Sequence, residues 1–350
     1  VHRVVGREGQ MCIRDRKNAS TDNNAIVARL FESLQNPKTA QASLSQEVGK
    51  HFAWHGPKPF KSCFTPDEWC SSFWLPFIDA FSGLSRETHM LFGGISDGKV
   101  DKSPDGESWV GATGYYHGVF SKSWLGFEPT HQVIKLRWGE FFRMEEGKIV
   151  EMYTLFDIID FLQQINKNPL PASHGADFVY PSPTGVNGIL LDNHQSAKTA
   201  ESMSLIRKFL FEGLNRFDKE ALSSMGVAEF FHSNVNWYGP GGIGACFSLK
   251  EFQSHHQQHW LTGFPDRKVQ DLDSLFAQDN FVGSSGWAGV TSQHTGDYLS
   301  AKATGNRINF NGMDFWLRRD DKFVENWVFV DMIDLFDQFG IDLLQQARGL

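Results

Sequence analysis

The sequence predicts an α+β protein built as two tandem cone-shaped domains, each a curved antiparallel sheet wrapped around N-terminal helices and closed by a short C-terminal helix. Three observations predict it: the chain repeats itself, each copy runs helical patterns before strand patterns, and a segment rich in Pro, Gly, Ser and Asn parts the copies.

The repeat is plainest near the end of each half. Glu140-Phe-Phe-Arg-Met-Glu-Glu-Gly-Lys-Ile-Val-Glu-Met-Tyr-Thr-Leu-Phe-Asp aligns without a gap on Asp314-Phe-Trp-Leu-Arg-Arg-Asp-Asp-Lys-Phe-Val-Glu-Asn-Trp-Val-Phe-Val-Asp. Upstream, Trp54-His-Gly-Pro matches Trp237-Tyr-Gly-Pro, and Cys63-Phe-Thr-Pro-Asp-Glu-Trp matches Cys246-Phe-Ser-Leu-Lys-Glu-Phe. Trp109-Val-Gly-Ala-Thr-Gly-Tyr answers Phe281-Val-Gly-Ser-Ser-Gly-Trp. The same order in both copies sets the boundaries: a tail at 1–19, a first domain at 20–168, a linker at 169–198 and a second domain at 199–350. The tail carries Arg3, Arg7, Arg14, Arg16 and Lys17 with no apolar face, resembles a translated sequencing adapter around Met11–Arg16, and is left out of the fold reasoning.

Within the second copy, Leu205, Phe209, Leu210 and Leu214 recur at helical spacing, Phe217-Asp-Lys-Glu opens a second short helix, and 249–261 reads as a third. Strand-like runs follow at 281–291, 307–318 and 323–330, the last two joined by a tight Arg319-Asp-Asp-Lys turn. A helix from Met332 to about Gln346 ends the chain. Asp157 and Asp331 each stand between last strand and last helix, with Asp160 and Asp334 three residues on, the pattern of an N-cap with an acidic third position.

Composition narrows the function. Hydrophobic residues are 41% and charged residues 21%, ordinary for a globular chain, whereas 31 Phe and 11 Trp are enough to build two cores and line apolar pockets. Net charge is −8 and no basic cluster interleaves with aromatics, which disfavours nucleic acid as a partner. No run has the roughly twenty apolar residues of a membrane span, and the first twenty residues lack the apolar segment of a secretory signal, so a cytoplasmic location is the expectation. Four cysteines at irregular spacing make neither a disulfide framework nor a zinc site. His255 and His259 are one helical turn apart, but no further ligand follows at suitable spacing, and no metal or cofactor is expected.

Gln293-His-Thr-Gly-Asp-Tyr-Leu, Ala303-Thr-Gly-Asn-Arg-Ile and the Asp314–Trp327 segment resemble the signature of the SnoaL-like polyketide cyclase family, within the nuclear-transport-factor-two-like superfamily. The likeness is fuller in the second copy than in the first, where His117-Gly-Val-Phe and Glu128-Pro-Thr stand in across an insertion. It implies cones that enclose a small-molecule pocket and that pack through their sheets. The family's cyclases use a carboxylate on the last strand as general acid/base; here that position is Thr154 and Val328, and neither exchanges a proton. A second family position, commonly His on the preceding strand, falls on Glu140 and Asp314.

If Val328 points into the cone, Val324, Asn326 and Val330 share its face and Asp314 and Trp316 lie inside on the neighbouring strand. Asp314 is then the foremost acid/base candidate, with Glu140 its counterpart in the first copy and His294 a third, oriented by Asp297. Trp54 and His55, with Trp237 and Tyr238, are expected to floor the two pockets. An epoxide-hydrolase arrangement would need Arg307 inside, and alternation from Asp314 puts it outside. Two readings stay open: acid/base chemistry of cyclase, isomerase, dehydratase or hydrolase type on an apolar or aromatic carbonyl compound, or a binding or scaffold module that has lost the catalytic acid. Partners expected are a small organic ligand and the sister cone in an intrachain pseudo-dimer, with homodimerisation a further option.

Overall fold

A computed structural model describes residues 22–36, 38–191, 196–218 and 221–350; the N-terminal tail lies outside them. Two sheets carry the architecture. The first orders β1 (Val48–His55), β5 (Lys148–Phe156), β4 (Val133–Glu145), β3 (Ser108–Phe120) and β2 (Phe81–Ile95). The second orders β7 (Ala245–Cys246), β6 (Phe231–Tyr238), β12 (Lys322–Val330), β11 (Arg307–Arg319), β10 (Phe281–Gln293) and β8 (Lys268–Val269), with β9 (Ser274–Gln278) also on β10. Helices cover the inner face of each sheet, so the fold is two cones.

The sheets are mixed rather than wholly antiparallel. Both β1–β5 and β6–β12 are parallel pairs, because β1 and β6 join the last strand of their copy from the helical layer and not through a hairpin. The β11–β12 hairpin of the second copy falls where sequence placed it, whereas its third helix is interrupted by a π turn at Phe252–Gln257 and its last helix breaks at Gly340 into Met332–Gln338 and Leu343–Arg348.

Residues of alternate parity serve two cores. On β4, Trp138, Glu140 and Phe142 face the first cone's interior while Phe141 faces out; on β11, Asp314 and Trp316 face in while Met313, Phe315 and Leu317 face out. The outward residues of both sheets meet in one buried cluster: Tyr153 and Leu155 of β5 join Trp327 and Phe329 of β12, and Phe141 sits 5.1 Å from Phe315 and 5.7 Å from Phe276. Glycines let the sheets approach; a Cβ on Gly139 would sit 3.2 Å from both Met313 and Phe329.

The segment between the copies runs along this seam. Tyr180 is buried against Tyr238, Thr184 donates to Glu325, Trp327 Nε1 donates to Pro181 O, and Leu91 pairs with the backbone of Gly188.

The repeated aspartates are caps and also clasps. Asp157 accepts from Asp160 N at 3.2 Å and from Gly241 N at 3.0 Å, in the Gly-Pro loop of the other cone. Asp331 accepts from Asp334 N at 3.0 Å and from Lys58 N at 2.8 Å, in the corresponding loop of the first cone. The reciprocity breaks at one place. Arg137 donates to Asp157 at 2.8 Å and to the carbonyls of Gly239 and Val328, and the repeat puts Asn311 where its counterpart would be.

Candidate active site

A cavity of about 190 Å³ opens inside the second cone, compact against the roughly 300–1,000 Å³ of drug-sized ligand sites. Its walls are mainly apolar: Phe209, Leu210 and Leu214 from the first helix of that half, Phe252 and Trp260 from the helix at 249–263, and Trp237, Phe310, Trp316 and Val328 from the sheet. Into this wall the strand period places Asp314, beside Asn326 on β12. Asn326 Nδ2 donates to Asp314 Oδ1 at 3.2 Å and to Phe315 O at 3.1 Å, which fixes the amide with its donors toward the acid. No cation pairs with Asp314 among the described residues. Burial therefore pushes its carboxyl up to about 7, against the smaller opposing effect of the Asn326 hydrogen bond.

The opposite wall carries three polar residues that sequence reasoning missed. His256 stacks on Trp237 at 4.3 Å, and burial, with the nearby Arg267 charge, drives its pKa down to about 3, leaving a neutral imidazole. Gln257 and Arg267 also line the cavity, and Gln257 Oε1 and Trp316 Nε1 are buried without a protein partner. His256 could have been found from the repeat, because counting from Cys63 and Cys246 sets it opposite Phe73, a polar ring where the other copy has an apolar one. Arg267 stands in a connection with no counterpart motif and gave no such signal.

The first cone is filled at the depth of Asp314, and its own cavity, about 420 Å³, opens elsewhere, beside Phe31, Trp74, Phe81, Arg86 and Tyr116 and without Glu140 in its wall. The repeat sets Trp138 opposite Gly312 and Trp74 opposite Gln257. Glu140, the counterpart of Asp314, is held by Arg86 at 2.7 Å in a fully buried ion pair, and Thr154 Oγ1 lies 3.4 Å away and accepts from Trp54 Nε1 at 2.9 Å. The Arg86 guanidinium stacks over Phe31, Tyr116 and Trp138. This carboxylate is neutralised and faces side chains, not a void.

The other residues singled out from sequence are spread. His294 lies outside the cavity, stacked on Phe339 at 4.0 Å with Nδ1 3.1 Å from Thr304 Oγ1. Asp297 pairs on the surface with Lys302 at 2.6 Å, so the two form no oriented pair at a pocket mouth. Trp237 lines the cavity, but Tyr238, next along the strand, points to the seam and donates to Glu325; one of two neighbouring strand residues can face inward, not both. Trp54 and His55 divide the same way, with Trp54 against Phe73 inside and His55 against Tyr153 outside. Val324 joins the seam rather than the face of Val328, because the β11–β12 register shifts between Phe323 and Glu325. Arg307 lies outside, paired with Asp266 at 3.0 Å. No group of three metal-ligating side chains occurs among the described residues, and His259 stacks on His174.

The second half of the chain is thus a helix-backed cone with a lone carboxyl in an aromatic cavity. Residues 208–339 match the family of SnoaL-like polyketide cyclases. Similar solved structures include a proposed SnoaL-like polyketide cyclase from Jannaschia sp. CCS1, 13% identical with a TM-score of 0.36 over 42% of this chain and 96% of that one. They also include AclR, a proposed hydroxylase from Streptomyces galilaeus (22%, TM-score 0.34, 41% and 97%), and IdmH, a proposed polyketide cyclase from Streptomyces antibioticus (17%, TM-score 0.33, 41% and 98%). No curated protein matches the chain.

Proposed function

We propose that the second cone binds a compact apolar or aromatic carbonyl compound and moves a proton on it, with Asp314 as general acid/base and the first cone as a structural partner. One observation carries this: a carboxyl with no cation beside it faces a cavity, and burial holds its pKa at about 7. At that value it is part protonated and part ionised at neutral pH, and so can take a proton and return it. Trp316 Nε1, buried with no protein partner, is a hydrogen-bond donor for an oxygen on which negative charge develops, while the two N–H groups of Asn326 Nδ2 are given to Asp314 Oδ1 and Phe315 O. Trp237, Trp316 and Phe310 offer flat apolar faces for the carbon skeleton. The match of residues 208–339 to a family of polyketide cyclases fits an enolisable carbonyl substrate. The family's own last-strand acid is replaced by Val328, so the proton carrier proposed here sits one strand away.

That same replacement favours a second reading, a binding module without chemistry. The two separate in one experiment: deuterium exchange at the α-carbon of 2-tetralone, followed by proton NMR in heavy water with wild type, Asp314→Asn and Glu140→Gln. Catalysed exchange should fall about a hundredfold or more in Asp314→Asn, the usual contribution of a general base, while the probe still binds. Folded Glu140→Gln should keep its rate. Full exchange by Asp314→Asn would remove the assignment, and binding without exchange by the wild type would select the binding module.

A further inference from the structure

From the geometry of the cavity we infer that it has an anion-binding end, formed by Arg267 with Gln257, and that its ligand carries an ionised carboxylate or comparable oxyanion at the end remote from Asp314. The inference rests on the proposal that this cavity holds a small organic ligand.

Arg267 lies just before β8 and is 8% exposed. No carboxylate pairs with it among the described residues. Its donors reach Leu214 O at a long 3.4 Å and the thioether of Met225, both weak partners for a guanidinium. Other buried guanidiniums of the chain are compensated: Arg86 by Glu140, Arg137 by Asp157 and Arg318 by Glu201. A buried cation left without an anion is costly, and a ligand anion would relieve that cost. Burial alone lowers the Arg267 pKa, to about 10, so the side chain stays charged at neutral pH. Gln257 stands beside it with its Nε2 on the same thioether at a long 3.8 Å, so weak a partner that this N–H can turn to an anion.

The sheet register separates this end from the acid. Lys268, next to Arg267, pairs with Thr291, which pairs with Asn309; Asp314 is five rungs further along β11. At about 3.3 Å per rung that is roughly 16 Å between backbones, shortened by the reach of both side chains toward each other. A flat, compact molecule with an anionic substituent at one end and a carbonyl at the other matches this separation. The anion also fixes which end meets Asp314, since an ionised carboxylate would be repelled there.

The test uses 2-naphthoate and its neutral isostere 2-acetylnaphthalene as probes at pH 8, with affinity read from quenching of tryptophan fluorescence and checked by calorimetry. Wild type should bind the carboxylate at least tenfold more tightly than the ketone. Arg267→Gln should lose that preference while retaining the ketone, and Arg267→Lys, which keeps the charge without the fork, should retain part of it. If Arg267→Gln does not fold, the wild-type preference and its reduction in Arg267→Lys decide the matter. Equal affinities in the wild type, or a preference that persists in Arg267→Gln, would overturn the anion site and leave the pocket standing. Failure of both probes to bind would overturn both.

Discussion

Asp314 and Glu140 occupy equivalent positions in two copies of one fold, yet their surroundings give them opposite chemistry. Arg86 pairs with Glu140 and occupies it, whereas Asp314 has an amide as its hydrogen-bond partner and no cation beside it among the described residues. This difference has a consequence for stability. The Asp314 pKa rises on folding from about 3.8 to about 7, so the folded state holds its proton over a range where the unfolded chain has released it. The stability from this group is complete below about pH 4, declines as pH rises, and is gone above about pH 7. Asp331, also raised to about 7 by burial, acts in the same direction. Urea unfolding at pH 5 and pH 8 should therefore show Asp314→Asn losing about 3 kcal/mol less than wild type between the two, because some two units separate pH 5 from the folded pKa. Equal losses in both proteins would mean that Asp314 titrates in the fold as it does in the open chain.

At the scale of elements, the two cap aspartates look interchangeable in sequence and are not. Asp157 neutralises a buried arginine as well as capping its helix; Asp331 caps and clasps with backbone partners alone. Asparagine caps about as well as aspartate. Asp331→Asn should therefore stay within about 1 kcal/mol of wild type, whereas Asp157→Asn strands the Arg137 charge and should cost about 3–5 kcal/mol in denaturant unfolding. A cost for Asp331→Asn equal to that for Asp157→Asn would show that the charge of Arg137 is not the deciding factor. The caps themselves, the hairpins of β10 to β12 and the inward set Asp314, Trp316, Asn326 and Val328 were legible because each follows from local spacing: a period of two, a tight turn, an acid three residues after a cap. The parallel strands β1 and β6 were not, since their partners lie about a hundred residues away and no local pattern encodes a distant register. Nor was the Arg86–Glu140 pair, joined across 54 residues, or the place of Arg267 in the cavity wall. Glu140 read as a candidate acid because its neutralising partner is invisible to spacing.

Across the whole molecule the seam between the sheets is as well packed as either cone interior. Phe141 is fully buried there, against Phe276 and Phe315 of the opposite sheet. Phe141→Ala should cost about 3–5 kcal/mol. Because the lost contacts belong to both halves, calorimetry should show one transition moved to lower temperature; two transitions, one of them unshifted, would mean that the cones melt independently. The pairing of Trp138 with Gly312 bears on how such a molecule can change over time. In a dimer of identical chains a substitution appears in both partners at once, so a tryptophan that plugged one pocket would plug the other. Joined in one chain, the copies are released from that symmetry. One can take on bulk and an internal ion pair and serve as a rigid wall, while its sister keeps a hollow and a lone acid.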